Sequence, residues 1–176
     1  MSEIDWDAIR AKLPTDKNPG DKARRKQMFN EFDNGNGILS LAEVDKAIRD
    51  VLCIDELFDA KPAIMRAFQH AKSVSNKGDA KDDYIEFIEF RQFLLALRQY
   101  FEYYVAFQRV DSSGDKRIEL VEFQAAIGKL ETWVGTIDNP EEEFKSIDTN
   151  GGGFILFDEF CNWAIAKNLD LEDDDD

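Results

Sequence analysis

One spacing recurs four times along this chain and constrains its fold more than any other feature. An aliphatic residue is followed, after three positions, by glutamate: Leu39…Glu43, Ile85…Glu89, Ile118…Glu122 and Ile155…Glu159. A hydrophobic residue comes directly after each glutamate (Val44, Phe90, Phe123 and Phe160). Upstream of three of the four, two apolar residues three apart lead into an aspartate: Phe29/Phe32 before Asp33, Phe107/Val110 before Asp111, Phe144/Ile147 before Asp148. The glutamates lie 46, 33 and 37 residues apart. Periods of that length mark supersecondary units that bury their apolar faces only against neighbours. Each unit reads as helix, short polar loop, helix.

The hydrophobic phasing agrees. Apolar residues recur at three- and four-residue intervals over 21–32, 41–52, 61–72, 88–109, 120–131, 140–147 and 157–167, and a short helix is expected over 5–12. Asn139-Pro140 followed by Glu141–Glu143 is an N-cap, a proline at the first helical position and an acidic first turn. Strand signals are confined to two or three residues in each loop, with Ile85 expected to pair with Leu39 and Ile118 with Ile155. The expected fold is all-α.

Acidic residues at alternate loop positions with glutamate at position 12 form the EF-hand pattern, and calcium chemistry requires that spacing. The ion takes about seven oxygens at roughly 2.3–2.6 Å, so the chain must wrap round it within twelve residues. Positions 1, 3 and 5 supply side chains, 7 a carbonyl, 9 often a water, and 12 both carboxylate oxygens. The third loop offers Asp111, Ser113, Asp115, the Arg117 carbonyl, Glu119 and Glu122. Its departure is Lys116 where glycine is usual; a left-handed non-glycine residue costs on the order of 1 kcal/mol. The fourth loop offers Asp148, Asn150, the Phe154 carbonyl and Glu159, with Gly153 for the turn. Gly152 and Leu156 leave its fifth and ninth positions without a side-chain oxygen, so it is expected to be the weaker site. Its three glycines are no phosphate cradle, since no Lys-Ser/Thr follows them.

The other two loops are out of register. Counting back from Glu43 and Gly37 puts Phe32 in the first position, and Asp33–Gly37 looks like a loop that has lost one residue. Ser40 and Glu43 read as a capping box, so the expectation here is a structural loop without an ion. The second loop, from Lys72 to Glu89, is too long. Twelve residues back from Glu89 lies Gly78, with Ala80 third and only Asp82 in a ligand position, while Asp79 and Asp83 fall out of step. It also reads as structural.

Composition narrows the function. A net charge of −15 on 176 residues opposes general nucleic-acid binding. The exception is the segment 10–26, where seven cations face two carboxylates, leaving −20 on the rest. Such a segment could touch anionic lipid weakly, but solvated helix ends are the favoured reading. No apolar run reaches 18 residues, so no transmembrane span is expected. Ser2 is not a myristoyl-accepting glycine, so no acyl anchor is expected. Cys53 and Cys161 make no disulfide framework, and the lone His70 makes neither zinc set nor triad. No nucleophile–base pair or phosphate loop is present, so no enzyme is expected. The acidic end, Glu172–Asp176, reads as a disordered tail. An aromatic stripe from Phe87 to Phe107 reads as core packing between two lobes.

These residues together resemble a known family, the flagellar calcium-binding proteins of trypanosomes (calflagins), over nearly the whole chain. The resemblance is carried by Trp6–Pro14, by the long second loop running into Tyr84–Arg91, by a third loop without its glycine, and by Leu130-Glu-Thr-Trp133 before the fourth hand. It implies four EF-hands in two packed lobes, a compact relative of calmodulin, with calcium in the third and fourth loops. Carried over, the ligands are Asp111, Ser113, Asp115, Arg117 and Glu122, then Asp148, Asn150, Phe154 and Glu159. The family's acylated glycine and cysteine have no counterpart near this N-terminus. The expected division is an extension over 1–20, a degenerate pair over 21–96, a calcium-binding pair over 97–170 and a tail over 171–176.

The functional expectation is a cytoplasmic calcium sensor of a cilium or flagellum binding two Ca2+. A calcium buffer and a structural component of a cytoskeletal or axonemal assembly are the alternatives. Met1, Met28 and Met65 all lie outside the C-terminal pair, which points away from a methionine-rich promiscuous groove and towards a dedicated protein partner.

Overall fold

The computed structural model describes residues 4–74 and 84–167. The middle of the second loop, including Gly78, Asp79, Ala80, Asp82 and Asp83, lies outside the described residues, as do Met1–Glu3 and the acidic tail. Contacts divide the chain into two units, 1–101 and 102–176.

In the first unit, α1 (Trp6–Lys12) is capped by the Asp5 carboxylate, which accepts from the Ala8 N–H at 3.1 Å. In α2 (Pro19–Phe32), Pro19 opens the helix and the Asn18 side chain accepts from the Asp21 N–H at 2.7 Å. The first hand continues through β1 (Leu39–Ser40) into α3 (Leu41–Ala47), which loosens into a π-helical turn over Ile48–Leu52. Cys53, at φ 55°, ends that turn in the left-handed region. The 41–52 helix therefore exists, but its second half is wound differently. A further helix, α4 (Asp55–Asp59), precedes α5 (Lys61–Val74). On α5 the residues Ala63, Ile64, Ala67, Phe68 and Ala71 are buried, the stripe of a helix with one face in the core. β2 (Tyr84–Ile85) pairs antiparallel with β1, Leu39 opposite Ile85. That bridge ties the two hands of the unit together at their loops.

Three cations of segment 10–26 bond backbone carbonyls. Lys12 Nζ donates to the Leu52 carbonyl at 3.1 Å, and Arg24 to the Ala11 carbonyl at 2.9 Å. Arg25 is buried and donates to the carbonyls of Pro14 and Asp16. Burial, with the nearby Arg91, lowers its pKa from the ordinary arginine range. The expectation of solvated helix ends is corrected for Arg25; Lys12 and Arg24 remain exposed. A cation that satisfies a buried carbonyl is held by the fold, because an unpaired buried carbonyl is costly.

The long helix α6 (Phe87–Val110) contributes Phe87 to Phe101 to the first unit and Glu102 to Val110 to the second. Its aromatic stripe is core. Phe90 packs edge-on against Phe29 and Phe32 at 5.4 Å, and Phe107 against Phe157 and Phe160 at 5.7 Å. None of the described helices is long and apolar enough to cross a membrane.

In the second unit the 120–131 helix is split by Ala126 into α7 (Leu120–Ala125) and α8 (Ile127–Val134), which ends at Gly135 with φ 91°. The break brings Trp133 onto Phe160, with rings 5.8 Å apart and 18° from parallel, and edge-on to Tyr103. Asn139 and Pro140 start α9 (Pro140–Ile147), and α10 (Phe157–Ala166) closes the fourth hand. Trp163 of α10 donates its indole N–H to Glu143 of α9 at 2.7 Å.

Candidate metal centre

The first, third and fourth loops each fold round the two carboxylates at their ends. In the third, Asp111 Oδ1 accepts from the Gly114 N–H at 3.1 Å and the Ser113 hydroxyl at 3.2 Å, and Oδ2 from the Lys116 N–H at 2.8 Å. Glu122 Oε2 accepts from the Ser113 N–H at 2.9 Å and the Ser112 hydroxyl at 3.1 Å, while Oε1 accepts from the Glu119 N–H at 3.0 Å. Lys116 sits at φ 67°, the left-handed turn that position 6 demands.

These bonds bring Asp111, Asp115 and Glu122 together, with one oxygen from each within 4.8 Å of the others. Two oxygens that share a calcium ion at about 2.4 Å can be no more than about 4.8 Å apart. The donor set is all hard oxygen, which calcium prefers. On both counts, the residues fit the ion.

Electrostatics sharpen the picture. Burial pushes the Glu122 carboxyl up, but the N–H groups of Glu119 and Ser113 and the hydroxyls of Ser112 and Ser113 outweigh it and hold its pKa below the ordinary range. Asp115 is also lowered, chiefly by the Arg117 guanidinium, whose Nε donates to Oδ2 at 3.1 Å.

The fourth loop repeats the skeleton. Asp148 accepts from Gly152 N at 3.2 Å and Gly153 N at 2.8 Å. Glu159 accepts from Asn150 N, Thr149 Oγ1 and Leu156 N. Asn150 Oδ1 accepts from the Gly152 N–H at 2.8 Å. The side chains expected as ligands in this loop, Asp148, Asn150 and Glu159, thus share one hydrogen-bonded network with fewer carboxylates. Ile118 and Ile155 join the two loops through a pair of backbone bonds at 2.9 and 2.8 Å.

The first loop corrects the count from Phe32. Asp33 occupies the first position: its Oδ2 accepts from the Gly37 N–H at 2.8 Å, as Asp111 does from Lys116 and Asp148 from Gly153. Glu43 Oε2 accepts from Asn34 N at 2.9 Å, as Glu122 does from Ser113. Asn36 Oδ1 caps Ile38 N, as Asp115 caps Arg117 N. The loop is a complete skeleton of eleven residues, with the missing one between Asp33 and Asn34. Ser40 and Glu43 form the expected capping box.

Two features escaped the sequence reading. Ser112 and Thr149 occupy equivalent second positions and both brace the closing glutamate; the shared hydroxyl was the available signal. The Arg117 side chain lies over the Phe154 ring at 4.2 Å, where only the two carbonyls were expected to matter.

Known proteins match this architecture. A family model of the FCaBP EF-hand domain matches residues 9–97, and one of an EF-hand domain pair matches 101–165. The chain is 39% identical to flagellar calcium-binding protein TB-17 of Trypanosoma brucei brucei, over 99% of this chain and 76% of that protein. It is 37% identical to the flagellar calcium-binding protein of Trypanosoma cruzi, over 97% of this chain and 83% of that protein. It is also 38% identical to polcalcin Cyn d 7 of Cynodon dactylon, over 35% of this chain and 74% of that protein.

Proposed function

From the premise that this chain belongs to the flagellar calcium-binding protein family of EF-hand proteins, with calcium as its cofactor, we propose that it is a flagellar calcium sensor loading two ions. The ligands are Asp111, Ser113, Asp115, the Arg117 carbonyl and Glu122 in the third loop. Asp148, Asn150, the Phe154 carbonyl and Glu159 serve the fourth. The observation that carries the reading is the convergence of Asp111, Asp115 and Glu122 within 4.8 Å. Bound calcium supplies the positive charge that offsets their mutual repulsion. Placement at the flagellum is supported by the names of the relatives, and imaging of the tagged chain in a flagellated cell tests it. The domain division carried forward is a structural pair over 21–96 and a calcium-binding pair over 97–170.

The sensor function works through the closing glutamates. Glu122 and Glu159 link their loops to α7 and α10, whose Phe123 and Phe160 share the aromatic core with Trp133 and Trp163. A change in either glutamate's position is therefore felt by both indoles. Trp6 packs 5.4 Å from Phe101 in the other unit.

A calcium buffer is the second reading, favoured by how nearly the third loop's carboxylates already converge. Calorimetry on chelator-treated protein tests the site count, with two equivalents expected. Uptake that survives the double change Glu122→Gln and Glu159→Gln overturns it. Tryptophan emission separates the roles: a calcium-dependent change lost with Trp133→Phe and Trp163→Phe supports the sensor. Silent emission during proven binding supports the buffer.

A further inference from the structure

The Arg117 side chain faces two ways. Its Nε donates to Asp115 Oδ2 at 3.1 Å, and Asp115 also accepts the Arg117 N–H, so the aspartate is held by its neighbour two residues on. The same guanidinium carbon lies 4.2 Å from the centroid of the Phe154 ring, in the fourth loop. Arg117 and Phe154 are each the seventh residue of their loop, one before the bridging Ile118 and Ile155. In antiparallel pairing such residues are diagonal neighbours, within reach of long and aromatic side chains.

We propose that Arg117 couples the two calcium loops: its guanidinium is shared between a ligand of the third site and the residue whose carbonyl serves the fourth. This rests on the reading that both loops bind calcium. The ion and the guanidinium compete for the charge of Asp115. Asp115 already offers an oxygen to the site, but Arg117 on Oδ2 draws off part of its charge, and the guanidinium is itself a cation beside a dication site. Arg117 therefore weakens the third site. Once an ion draws on the charge of Asp115, the carboxylate's hold on the guanidinium weakens and the ring keeps it. A cation over an aromatic face is favourable, so Phe154 becomes better fixed in place and the fourth loop is ordered before its own ion arrives.

Arg117 is thus a positioning residue, and its substitution has opposite effects on the two steps. Arg117→Gln is expected to tighten the first calcium step roughly two- to fivefold, the scale of an exposed ion pair. It should also lower the ratio of second-step to first-step affinity by a similar factor. Phe154→Leu keeps the carbonyl and removes the ring, so the first step is expected to stay the same while the ratio falls. The double variant should behave as Arg117→Gln alone, and Arg117→Lys, which keeps charge without the planar fork, should fall between. Both side chains are solvent-accessible, so the variants are expected to fold.

Stepwise calorimetry, with NMR of the Phe154 ring protons during titration, reads these effects. Ring shifts that move on filling the third site in wild type, but not in Arg117→Gln, support the coupling. Wild type taking up two equivalents, with an unchanged step ratio in both single variants, overturns the coupling alone. So do effects that simply add in the double variant. Fewer than two equivalents in wild type overturns the calcium reading and the coupling with it.

Discussion

In the first loop Asp33 gathers the N–H groups of Gly35, Asn36 and Gly37, and Glu43 reaches back to Asn34. In the third, Asp111 and Glu122 build the same frame with Gly114, Lys116 and Ser113. The loops differ by one residue. The comparison separates two properties that usually travel together. The frame needs an acid at each end and a left-handed residue between, and eleven residues suffice for it. An ion shell also needs side chains at alternate positions, since neighbours on an extended stretch point opposite ways. Losing the second position sets Asp33 beside Asn34 and spoils that alternation. Ser40 and Glu43 then serve the following helix, and the bridge to Ile85 keeps the pair of hands together.

The strongest way to break this comparison is to restore the length. Inserting one serine between Asp33 and Asn34 gives a twelve-residue loop with Asp33, Asn34, Asn36, the Ile38 carbonyl, Ser40 and Glu43 in ligand register. A third equivalent with a Kd of about 10⁻⁴–10⁻³ M is expected, since only two carboxylates contribute. A folded insertion variant that gains no equivalent shows that the shared frame does not prepare an ion shell.

Next in size are the closing glutamates. Glu122→Gln is expected to weaken the third site on the order of 100-fold, because ligand charge count sets EF-hand affinity. Glu43→Gln should leave calcium uptake unchanged and cost roughly 1 kcal/mol of stability through its capping role. Calorimetry and thermal melting of both variants check the contrast. Equal losses of calcium from the two would abolish the distinction between the loops.

A smaller contrast lies at the turn. Gly37 (φ 80°) and Lys116 (φ 67°) are equivalent, and only the lysine is strained. Gly37→Ala is expected to destabilise by about 1 kcal/mol. Lys116→Gly should stabilise by roughly 0.5 kcal/mol, relief of strain being partly offset by the greater freedom of the unfolded glycine. Melting curves of calcium-free protein measure both, and the same sign for both would contradict the equivalence.

Much of this was legible in the residues themselves. The repeated glutamate fixed the number of hands, and bulky aliphatic residues four before it foretold both bridges, Leu39 with Ile85 and Ile118 with Ile155. The helices with long apolar stripes were also readable. Helix α4 was not, because five residues are too few to show a period and its stability comes from packing. Nor was the break at Ala126, since alanine is a good helix former and only the packing of Trp133 accounts for it. In the first loop the lost residue was legible, though counting back twelve from Glu43 set Phe32 where Asp33 stands. The hydrogen bonds of Asp33 reveal eleven. Arg117 was invisible as a contact, since pattern assigns its carbonyl and says nothing of its side chain.

The smallest effect tests how firmly the third loop's frame grips its glutamate. Glu122 has a lowered pKa because the N–H groups of Glu119 and Ser113, with the serine hydroxyls, outweigh the effect of burial. The sign follows from linkage. A carboxyl whose folded value lies below its unfolded value, near 4.3, stabilises the fold fully above that pH. As the pH falls, the unfolded chain takes up the proton first, so the contribution declines and is gone once the folded carboxyl is also protonated. Calcium-free wild type is therefore expected to lose melting temperature more steeply below about pH 4.3 than Glu122→Gln, which has no proton to bind there. The difference between the two curves isolates this one group from every other carboxylate, all of which titrate in both proteins. Parallel curves would mean that the donors grip a carboxylate no better than a neutral amide. The frame would then be a matter of shape, common to both loops.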